Sequence, residues 1–240
     1  MAPTVSIVIP AFNEAARIGN TIQKVRSFLE TFPFSYELII VDDGSADETP
    51  VIVERHAFRG LRLVRNGVNH GKGFAVKQGI LAATGDYVLF SDADLSAPIE
   101  EIEKLLDVAT QDHADVVIGS RAVDRSMIGV HQSTLREAGG IIFNMLVQLT
   151  LGLRLHDTQC GFKLFDRKRV LSIFEKQRTS GFGFDPEVLF LAARQGLKIR
   201  EVPVRWNHAE GSKIRFFQDG VGMFLDLVRI RWNYMRGRYS

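Results

Sequence analysis

The chain has 240 residues, of which 45% are hydrophobic and 24% are charged, and its net charge is +2. This composition is that of an ordinary globular protein, and the length suffices for one large α/β domain or for one domain plus an appendage. The single cysteine, Cys160, excludes an internal disulfide framework and is compatible with a reducing compartment. Residues 1–110 are acidic in balance, which suits a metal site, and residues 198–240 are basic, which suits a phosphate or an anionic surface.

Strand and helix patterns alternate through the first half of the chain. The opening run TVSIVI (residues 4–9) is typical of a strand and not of a signal peptide, and a helix follows with Ile18, Ile22, Val25 and Leu29 on one face. Further strands are predicted at 36–41, 61–65, 86–90 and 115–119. Between them we expect helices opened by the capping-box spacing of residues 45–48, over 72–83, and from Pro98. This alternation predicts an α/β protein whose mostly parallel sheet has helices on both faces.

The pattern changes after residue 124. The apolar stretch 139–153 is too short to span a membrane, and Asn144 and Gln148 interrupt it. Helices are predicted near 167–175, within 181–196, and at the end of the chain, where Phe217, Val221, Phe224 and Val228 share one face; a late strand is predicted over 198–206. We expect residues 1–211 to form the main domain and residues 212–240 a basic loop and an amphipathic helix.

Two aspartates, Asp92 and Asp94, follow the strand predicted at 86–90. In an extended segment residues i and i+2 point to the same side, so their carboxylates should converge. Like charges at close range repel each other, and Mg²⁺ or Mn²⁺ bound between these carboxylates and a diphosphate would relieve the repulsion. Many Asp-x-Asp pairs are solvated loop acids, but the position after a buried strand favours a metal site.

The other predicted strand ends are also polar. Ligands of parallel sheets bind beyond the carboxyl ends of the strands, so these ends together indicate a nucleotide-sized site. Asp42 or Asp43 can accept a hydrogen bond from a base or a ribose, although a turn role is the alternative, and Lys72 between two glycines can approach a phosphate. The chain has neither P-loop spacing nor a Gly-x-Gly-x-x-Gly after its first strand, which counts against a dinucleotide enzyme.

Several motifs occur in the order found in one enzyme family. VSIVIPAFNE, VDDGSADET, NHGKGFAV, SDADLS and GSR resemble the inverting family 2 glycosyltransferases of the GT-A fold. The later motifs HDTQCGFKLF, FDPEVLFLA and VPVRWNHAEGSKIR are similar to those of the dolichyl-phosphate β-glucosyltransferases and their prokaryotic relatives. The resemblance covers about residues 4–237, nearly the whole chain.

The resemblance implies a role for each matching residue. The predicted donor contacts are Pro10, Phe12 (where many relatives have Tyr), Glu14, Asp42, Asp43 as the base contact, Lys72, Asp92, Ala93, Ser212 and Lys213. The predicted metal ligands for Mg²⁺ or Mn²⁺ are Asp92 and Asp94. Arg121 and Arg136 resemble the arginines that hold an acceptor phosphate. Apart from the resemblance, Asp185 is the candidate base, or an orienting acid, if the acceptor is a hydroxyl, although it can instead cap its helix.

The resemblance also implies the partners. We expect glucose to move from UDP-glucose to a polyprenyl or dolichyl phosphate, with Ser96 favouring this donor because related mannosyltransferases often have Gln there. We further expect the protein to lie peripherally on the cytoplasmic face of a membrane, through residues 141–153 and a tail with Trp232, Tyr234 and Tyr239; the alternatives are a core helix, a solvated face or a dimer contact. No nucleic-acid partner is expected.

Other functions remain open from the sequence. They are a GDP-mannose-dependent mannosyltransferase, a family 2 transferase acting on a soluble saccharide, and a non-catalytic nucleotide-sugar-binding protein. A haloacid-dehalogenase-like phosphatase also uses Asp-x-Asp, but normally after its first strand, whereas this first strand ends in PAFNE.

Overall fold

The computed structural model describes residues 4–208 and 216–239. The strands within these ranges are β1 (Thr4–Ala11), β2 (Ser35–Asp43), β3 (Leu61–Asn66), β4 (Tyr87–Ser91), β5 (Val116–Ser120), β6 (Ile128–Val130), β7 (Phe162–Asp166), β8 (Ile199–Pro203) and β9 (Trp206–Asn207). The helices are α1 (Ile18–Leu29), α2 (Thr49–Arg55), α3 (Lys72–Ala82), α4 (Ile102–Gln111), α5 (Thr134–Leu151), α6 (Arg167–Lys176), α7 (Phe184–Arg194) and α8 (Phe216–Met235).

Seven strands form the central sheet in the order β3-β2-β1-β4-β7-β5-β8, and β6 pairs with β9 in a separate ribbon. Strand β7 is antiparallel to both of its neighbours, while the other pairs in the sheet are parallel. Strands β1 to β5 of this sheet therefore run in one direction, and their carboxyl ends lie along one edge. This confirms the predicted α/β class and the common edge for the five polar strand ends.

Strand β7 has no counterpart among the predicted strands. It lies between β4 and β5, and the side chain of Lys163, its second residue, is almost fully buried. A lysine inside the apolar run FKLF hides the buried-strand pattern, since lysine is rarely buried without a partner. The partner of Lys163 is Asp185, which comes from a distant part of the chain.

A hydrophobic core covers each face of the sheet. On one face α1, α2 and α4 bury their apolar stripes, and the four predicted residues of α1 are all buried. On the other face lie α3, α5, α6, α7 and α8. Helix α8 packs against α5 and α7 through Leu227 and Ile230. The predicted domain boundary at residue 211 lies outside the described residues.

Several predicted bounds were wrong. The capping box at residues 45–48 does not open a helix, because the Ser45 hydroxyl accepts from the Asn13 amide (2.9 Å) and α2 begins only at Thr49. Strand β2 continues through Asp43, so Asp42 and Asp43 lie in the strand and not in a turn. The predicted strand 198–206 is two strands, β8 and β9, which belong to different sheets.

Helix α5 buries little of its surface. Of its 18 residues only Val147 and Leu151 are buried. Exposed apolar side chains on α5 and the adjacent α8 include Leu135, Ile141, Ile142, Met145, Leu149, Val221, Phe224, Leu225, Val228, Trp232 and Met235. We call this set the α5/α8 apolar surface. No helix within the described ranges is long and apolar enough to cross a membrane.

Candidate active site

Hydrogen bonds tie the loops at the carboxyl edge of the sheet to one another. The loop after β1 is fixed to the loop after β2, because Asn13 Oδ1 accepts from the Ala46 amide (2.8 Å) and the Glu14 amide donates to Thr49 Oγ1 (2.7 Å). Asp43 then connects β2 to the loop that precedes α3. Three strand ends thus form one continuous rim, at the position where ligands of parallel sheets bind.

Asp92 and Asp94 lie on a tight turn at the centre of this rim. The Leu95 amide donates to the Asp92 carbonyl (3.2 Å), and Leu95 has a positive φ of 48°. The expectation of an extended segment was therefore wrong, although the two carboxylates still interact. Burial, and then the charge of Asp92, raises the pKa of Asp94 above its ordinary value.

Ala93 anchors this turn to the protein interior. Its side chain is buried, and its carbonyl accepts a hydrogen bond from Thr21 Oγ1 in α1 (2.6 Å). Asp94 Oδ1 in turn accepts from the Ser96 amide (2.9 Å). The backbone between the two acids is thus held on both sides, which helps to orient their carboxylates.

Lys72 forms an ion pair with the acidic turn. Its Nζ lies 2.6 Å from Asp92 Oδ1, at the first residue of α3. Burial alone would lower the pKa of this ammonium, but the charges of Asp92 and Asp185 outweigh burial and raise the pKa above its usual value. Lys72 is therefore a fixed positive charge at neutral pH, within reach of any anion that binds at the turn.

Gly161 was not identified as a site residue from the sequence. Its carbonyl accepts from the Asp92 amide (3.0 Å), and a Cβ built on it would lie 1.9 Å from Asp92 Oδ2. Only glycine allows the strand β7 segment to approach the acidic turn so closely. The signal was available in the Cys-Gly-Phe sequence of the HDTQCGFKLF motif.

Asp42 and Asp43 have different environments. Asp43 is buried and accepts from Asn66 Nδ2 (2.8 Å), Asn69 Nδ2 (3.0 Å) and the amides of His70 (3.0 Å) and Gly71 (2.7 Å). Asp42 accepts only from the Ser45 amide (3.3 Å) among the described contacts. In this structure Asp43 therefore organises the loop before Lys72, and Asp42 retains more acceptor capacity.

The predicted contacts after β1 lie on the same rim. Pro10 is the penultimate residue of β1 and pairs in register with Val41, and Phe12 is half-buried in the loop that follows. Glu14 Oε2 lies 2.9 Å from Arg17 Nε, and the Glu14 carbonyl accepts from the Ile18 amide at the start of α1 (2.9 Å). These residues are brought together with Asp42, as predicted.

Arg121 is held by Asp157, a residue for which the sequence suggested no role. Arg121 Nε and Nη2 donate to the two carboxylate oxygens of Asp157 (2.7 and 2.8 Å), and the guanidinium lies 5.5 Å from the centre of the Trp206 ring. Burial alone would raise the pKa of Asp157, but Arg121 lowers it below its ordinary value. The guanidinium keeps donors that this pair does not use.

A second ion pair, between Lys163 and Asp185, lies beneath the rim. Lys163 Nζ is 2.6 Å from Asp185 Oδ1, and both side chains are almost fully buried. Burial raises the pKa of Asp185, although Lys163 and Lys72 oppose this shift. If Asp185 accepted a proton, the buried ammonium of Lys163 would lose its charge partner, which is costly.

One predicted residue is not joined to this cluster, and two others lie outside the described residues. Arg136 lies in the first turn of α5, and none of its side-chain contacts within the described part of the chain joins it to the acidic turn. Ser212 and Lys213 lie outside the described residues. The strand that precedes them in sequence is β9, whose Asn207 amide donates to the Ser96 carbonyl beside the acidic turn (2.8 Å).

Asp92 and Asp94 fit a divalent cation that shares its ligands with a phosphate. Mg²⁺ and Mn²⁺ sites at phosphates commonly use one or two protein carboxylates, with the remaining ligands from substrate and water. No group of three or more potential ligands occurs among the residues that the structure describes. The two-carboxylate donor set is consistent with a cation bound together with a substrate, as is the pKa of Asp94, which burial and then the charge of Asp92 raise.

Known proteins resemble this chain in sequence and in fold. The family model "Glycosyl transferase family 2" matches residues 6–174. A dolichyl-phosphate β-glucosyltransferase of Saccharomyces cerevisiae is 38% identical over 98% of this chain and 76% of its own length, and a human protein of the same name is 31% identical over 98% and 76%.

Among solved structures, mannosyl-3-phosphoglycerate synthase from Rubrobacter xylanophilus has a TM-score of 0.73 at 22% identity, covering 98% of this chain and 75% of that one. Glucosyl-3-phosphoglycerate synthase from Mycobacterium tuberculosis, in complex with Mn²⁺, UDP-glucose and phosphoglyceric acid, has a TM-score of 0.67 at 24% identity, covering 99% and 80%. These likenesses confirm the predicted GT-A fold. The chain belongs to glycosyltransferase family 2.

Proposed function

We propose that this glycosyltransferase moves glucose from UDP-glucose to a polyprenyl phosphate of the dolichyl type, with inversion at the anomeric carbon. The observation that carries the proposal is the acidic turn beside Lys72: two carboxylates and one fixed ammonium at the carboxyl edge of the sheet. The names of the curated relatives support the acceptor, and their glucosyl specificity supports the sugar.

The donor would bind with its diphosphate at the acidic turn. Asp92 and Asp94 would hold Mg²⁺ or Mn²⁺, and a bound cation there supplies charge neutralisation for the departing UDP. Lys72 would move from Asp92 toward a phosphate oxygen, since an ammonium makes charge-assisted hydrogen bonds with either group. Asp42 is better suited than Asp43 to contact the base or ribose, because four donors already occupy the Asp43 carboxylate.

An acceptor that is already anionic suits the environment of Asp185. A hydroxyl acceptor requires a base, and the candidate base is in a buried pair with Lys163. A phosphate monoester carries its nucleophilic oxygen as an anion near neutral pH and requires none. Arg121 would orient this phosphate with the donors that Asp157 leaves free, and Arg136 would assist from the start of α5.

The α5/α8 apolar surface supports a membrane location for the acceptor. Leu149 is 79% exposed and Val221 is 64% exposed, and the two helices that carry them are neighbours. Trp232, with the Arg236 guanidinium 4.4 Å from its ring centre, adds an aromatic and a basic group suited to headgroup depth. We therefore propose peripheral binding at the cytoplasmic face of a membrane, where anionic lipids attract basic residues.

A transfer assay with matched substrates tests this function. Purified protein is given UDP-glucose, Mn²⁺ and a short polyprenyl phosphate in detergent, and parallel reactions contain GDP-mannose or a free saccharide. We expect glucosyl transfer to the prenyl phosphate, and its loss in excess EDTA. Faster transfer from GDP-mannose, or transfer to the free saccharide alone, would overturn the donor or the acceptor respectively.

A further inference from the structure

We propose that Tyr239 is a positioning residue for the donor site, because it fixes Glu187, which fixes the loop that holds Lys72 in place. The proposal rests on the proposed function, because it assumes that Lys72 binds the nucleotide-sugar donor. Tyr239 was predicted to lie at the membrane headgroups, and the structure instead buries its side chain.

The end of α8 directs Tyr239 into the protein. The Arg238 amide donates to the Asn233 carbonyl and the Gly237 amide to the Tyr234 carbonyl (both 3.0 Å), which is the pattern of a Schellman motif. The chain turns back, and the Tyr239 hydroxyl donates to Glu187 Oε1 (2.5 Å). Arg178 Nη2 also donates to the Arg238 carbonyl (3.1 Å), so the segment after α8 is attached twice.

Glu187 connects this segment to the loop between α6 and α7. It is fully buried in the first turn of α7, and its Oε2 accepts from the amides of Thr179 (2.8 Å) and Arg178 (3.1 Å). A buried carboxylate is tolerated only when donors surround it. The Tyr239 hydroxyl is the side-chain donor in this set, so removing it weakens the hold of Glu187 on the loop.

The loop in turn contacts the first residues of α3. The Phe74 amide donates to the Ser180 carbonyl (3.1 Å), and Gln177 Nε2 donates to the Gly73 carbonyl (2.9 Å). Gly71 has a φ of 106°, and a Cβ there would lie 2.6 Å from the Ser180 carbonyl oxygen. The backbone on both sides of Lys72 therefore packs directly on this loop, and movement of the loop moves Lys72 relative to Asp92.

The first test is amide hydrogen exchange of the protein alone, in Tyr239→Phe. This variant removes one hydroxyl and keeps the ring. We expect exchange at the Thr179 and Phe74 amides to accelerate by roughly 10-fold or more, as expected for the loss of one hydrogen bond to a charged group, with no change in β1. The matched control Tyr36→Phe, at the start of β2, should leave both amides unchanged. Unchanged exchange at Phe74 in Tyr239→Phe would overturn the proposal.

The second test is a double-mutant cycle of Tyr239→Phe and Lys72→Ala, in which calorimetry measures the binding of UDP in the presence of Mn²⁺. Tyr239→Phe should weaken binding about 3- to 10-fold in the wild-type background and less than about 2-fold in Lys72→Ala, because the effect acts through Lys72. Equal weakening in both backgrounds would indicate general destabilisation and overturn the positioning role. If the wild type bound no UDP, the proposed donor would fall, and the exchange result alone would decide whether Tyr239 orders the Lys72 segment.

Discussion

Two neighbouring regions of the rim shift the pKa of an aspartate in opposite directions. At the 92–96 turn, burial and the charge of Asp92 raise the pKa of Asp94, and Lys72 is the one cation that forms an ion pair with this turn among the described residues. At the ion pair of Arg121 and Asp157, the carboxylate receives two side-chain hydrogen bonds and the backbone amide of Arg121, and its pKa is lowered.

The difference separates a binding group from a structural one. Asp157 is fully compensated by the protein, so its charge stabilises the folded state. Asp94 is compensated only in part, so its ionised form costs folding free energy until a cation binds. Incomplete compensation at a rim where ligands bind is typical of a functional site.

The largest effect is expected from Asp94→Ala. Removing a proposed ligand of the cation should lower the transfer rate by about 100-fold or more, because stabilisation of the leaving group is lost. The fold should persist, since Asp94 lies on a rim turn. Initial rates with Mn²⁺, together with the circular dichroism spectrum, measure both. The exposed Asp107→Ala in α4 is the matched control, and equal rates for the two variants would remove Asp94 from the mechanism.

Asp157→Asn should mainly affect stability. It leaves the Arg121 guanidinium without its charge partner, and we expect unfolding free energy to fall by about 3 kcal/mol in urea denaturation at pH 7. The pKa of Asp157 is lowered by folding, so its contribution is present above the unfolded pKa and lost as pH falls through the folded pKa. The gap between wild type and variant should therefore close in acid, and a gap independent of pH would argue against the ion pair.

Asp94→Asn should have the opposite and smaller effect on stability. Folding raises the pKa of Asp94, so its contribution is favourable below the unfolded pKa and is lost as pH rises through the folded pKa. In EDTA at pH 7 the variant should unfold at a slightly higher temperature than wild type, and this advantage should vanish in acid. A lower melting temperature at pH 7 would mean that the protein already compensates Asp94.

The smallest effect is expected from Leu149→Glu on the α5/α8 apolar surface. Because Leu149 is mostly exposed, stability should change by no more than about 0.5 kcal/mol, whereas co-sedimentation with anionic vesicles should fall several-fold. The control Leu149→Gln removes the apolar side chain without adding a charge, so it separates the two effects of Leu149→Glu. Undiminished vesicle binding by both variants would place the membrane contact elsewhere.

Much of the fold was predictable because its signals are local. The strand runs of β1 to β5 and the 3.6-residue period of α1 are readable from neighbouring residues, and parallel topology then brings the polar ends together. Strand β7 was not predictable in this way. Its Lys163 is stabilised by Asp185, which is 22 residues away in sequence and on another element.

The site was predictable in its residue types and less so in its pairings. Asp92, Asp94 and Lys72 were identified from their positions after strands. The engagement of Asp43 with residues 66–71 and that of Arg121 with Asp157 depend on tertiary geometry, and sequence patterns carry no distances. The same reason explains why the prediction for Tyr239 was wrong. The composition of its segment suggested a headgroup contact, whereas its hydroxyl donates a hydrogen bond to Glu187.

We propose that the acidic turn binds a cation together with a diphosphate. Electron paramagnetic resonance of Mn²⁺, titrated with protein in the presence and absence of UDP, measures this directly. We predict weak Mn²⁺ binding by the protein alone, strong binding once UDP is added, and loss of the strong binding in Asp94→Asn but not in Asp107→Asn. Mn²⁺ binding that UDP does not strengthen, or strong binding with UDP that persists in Asp94→Asn, would contradict this proposal.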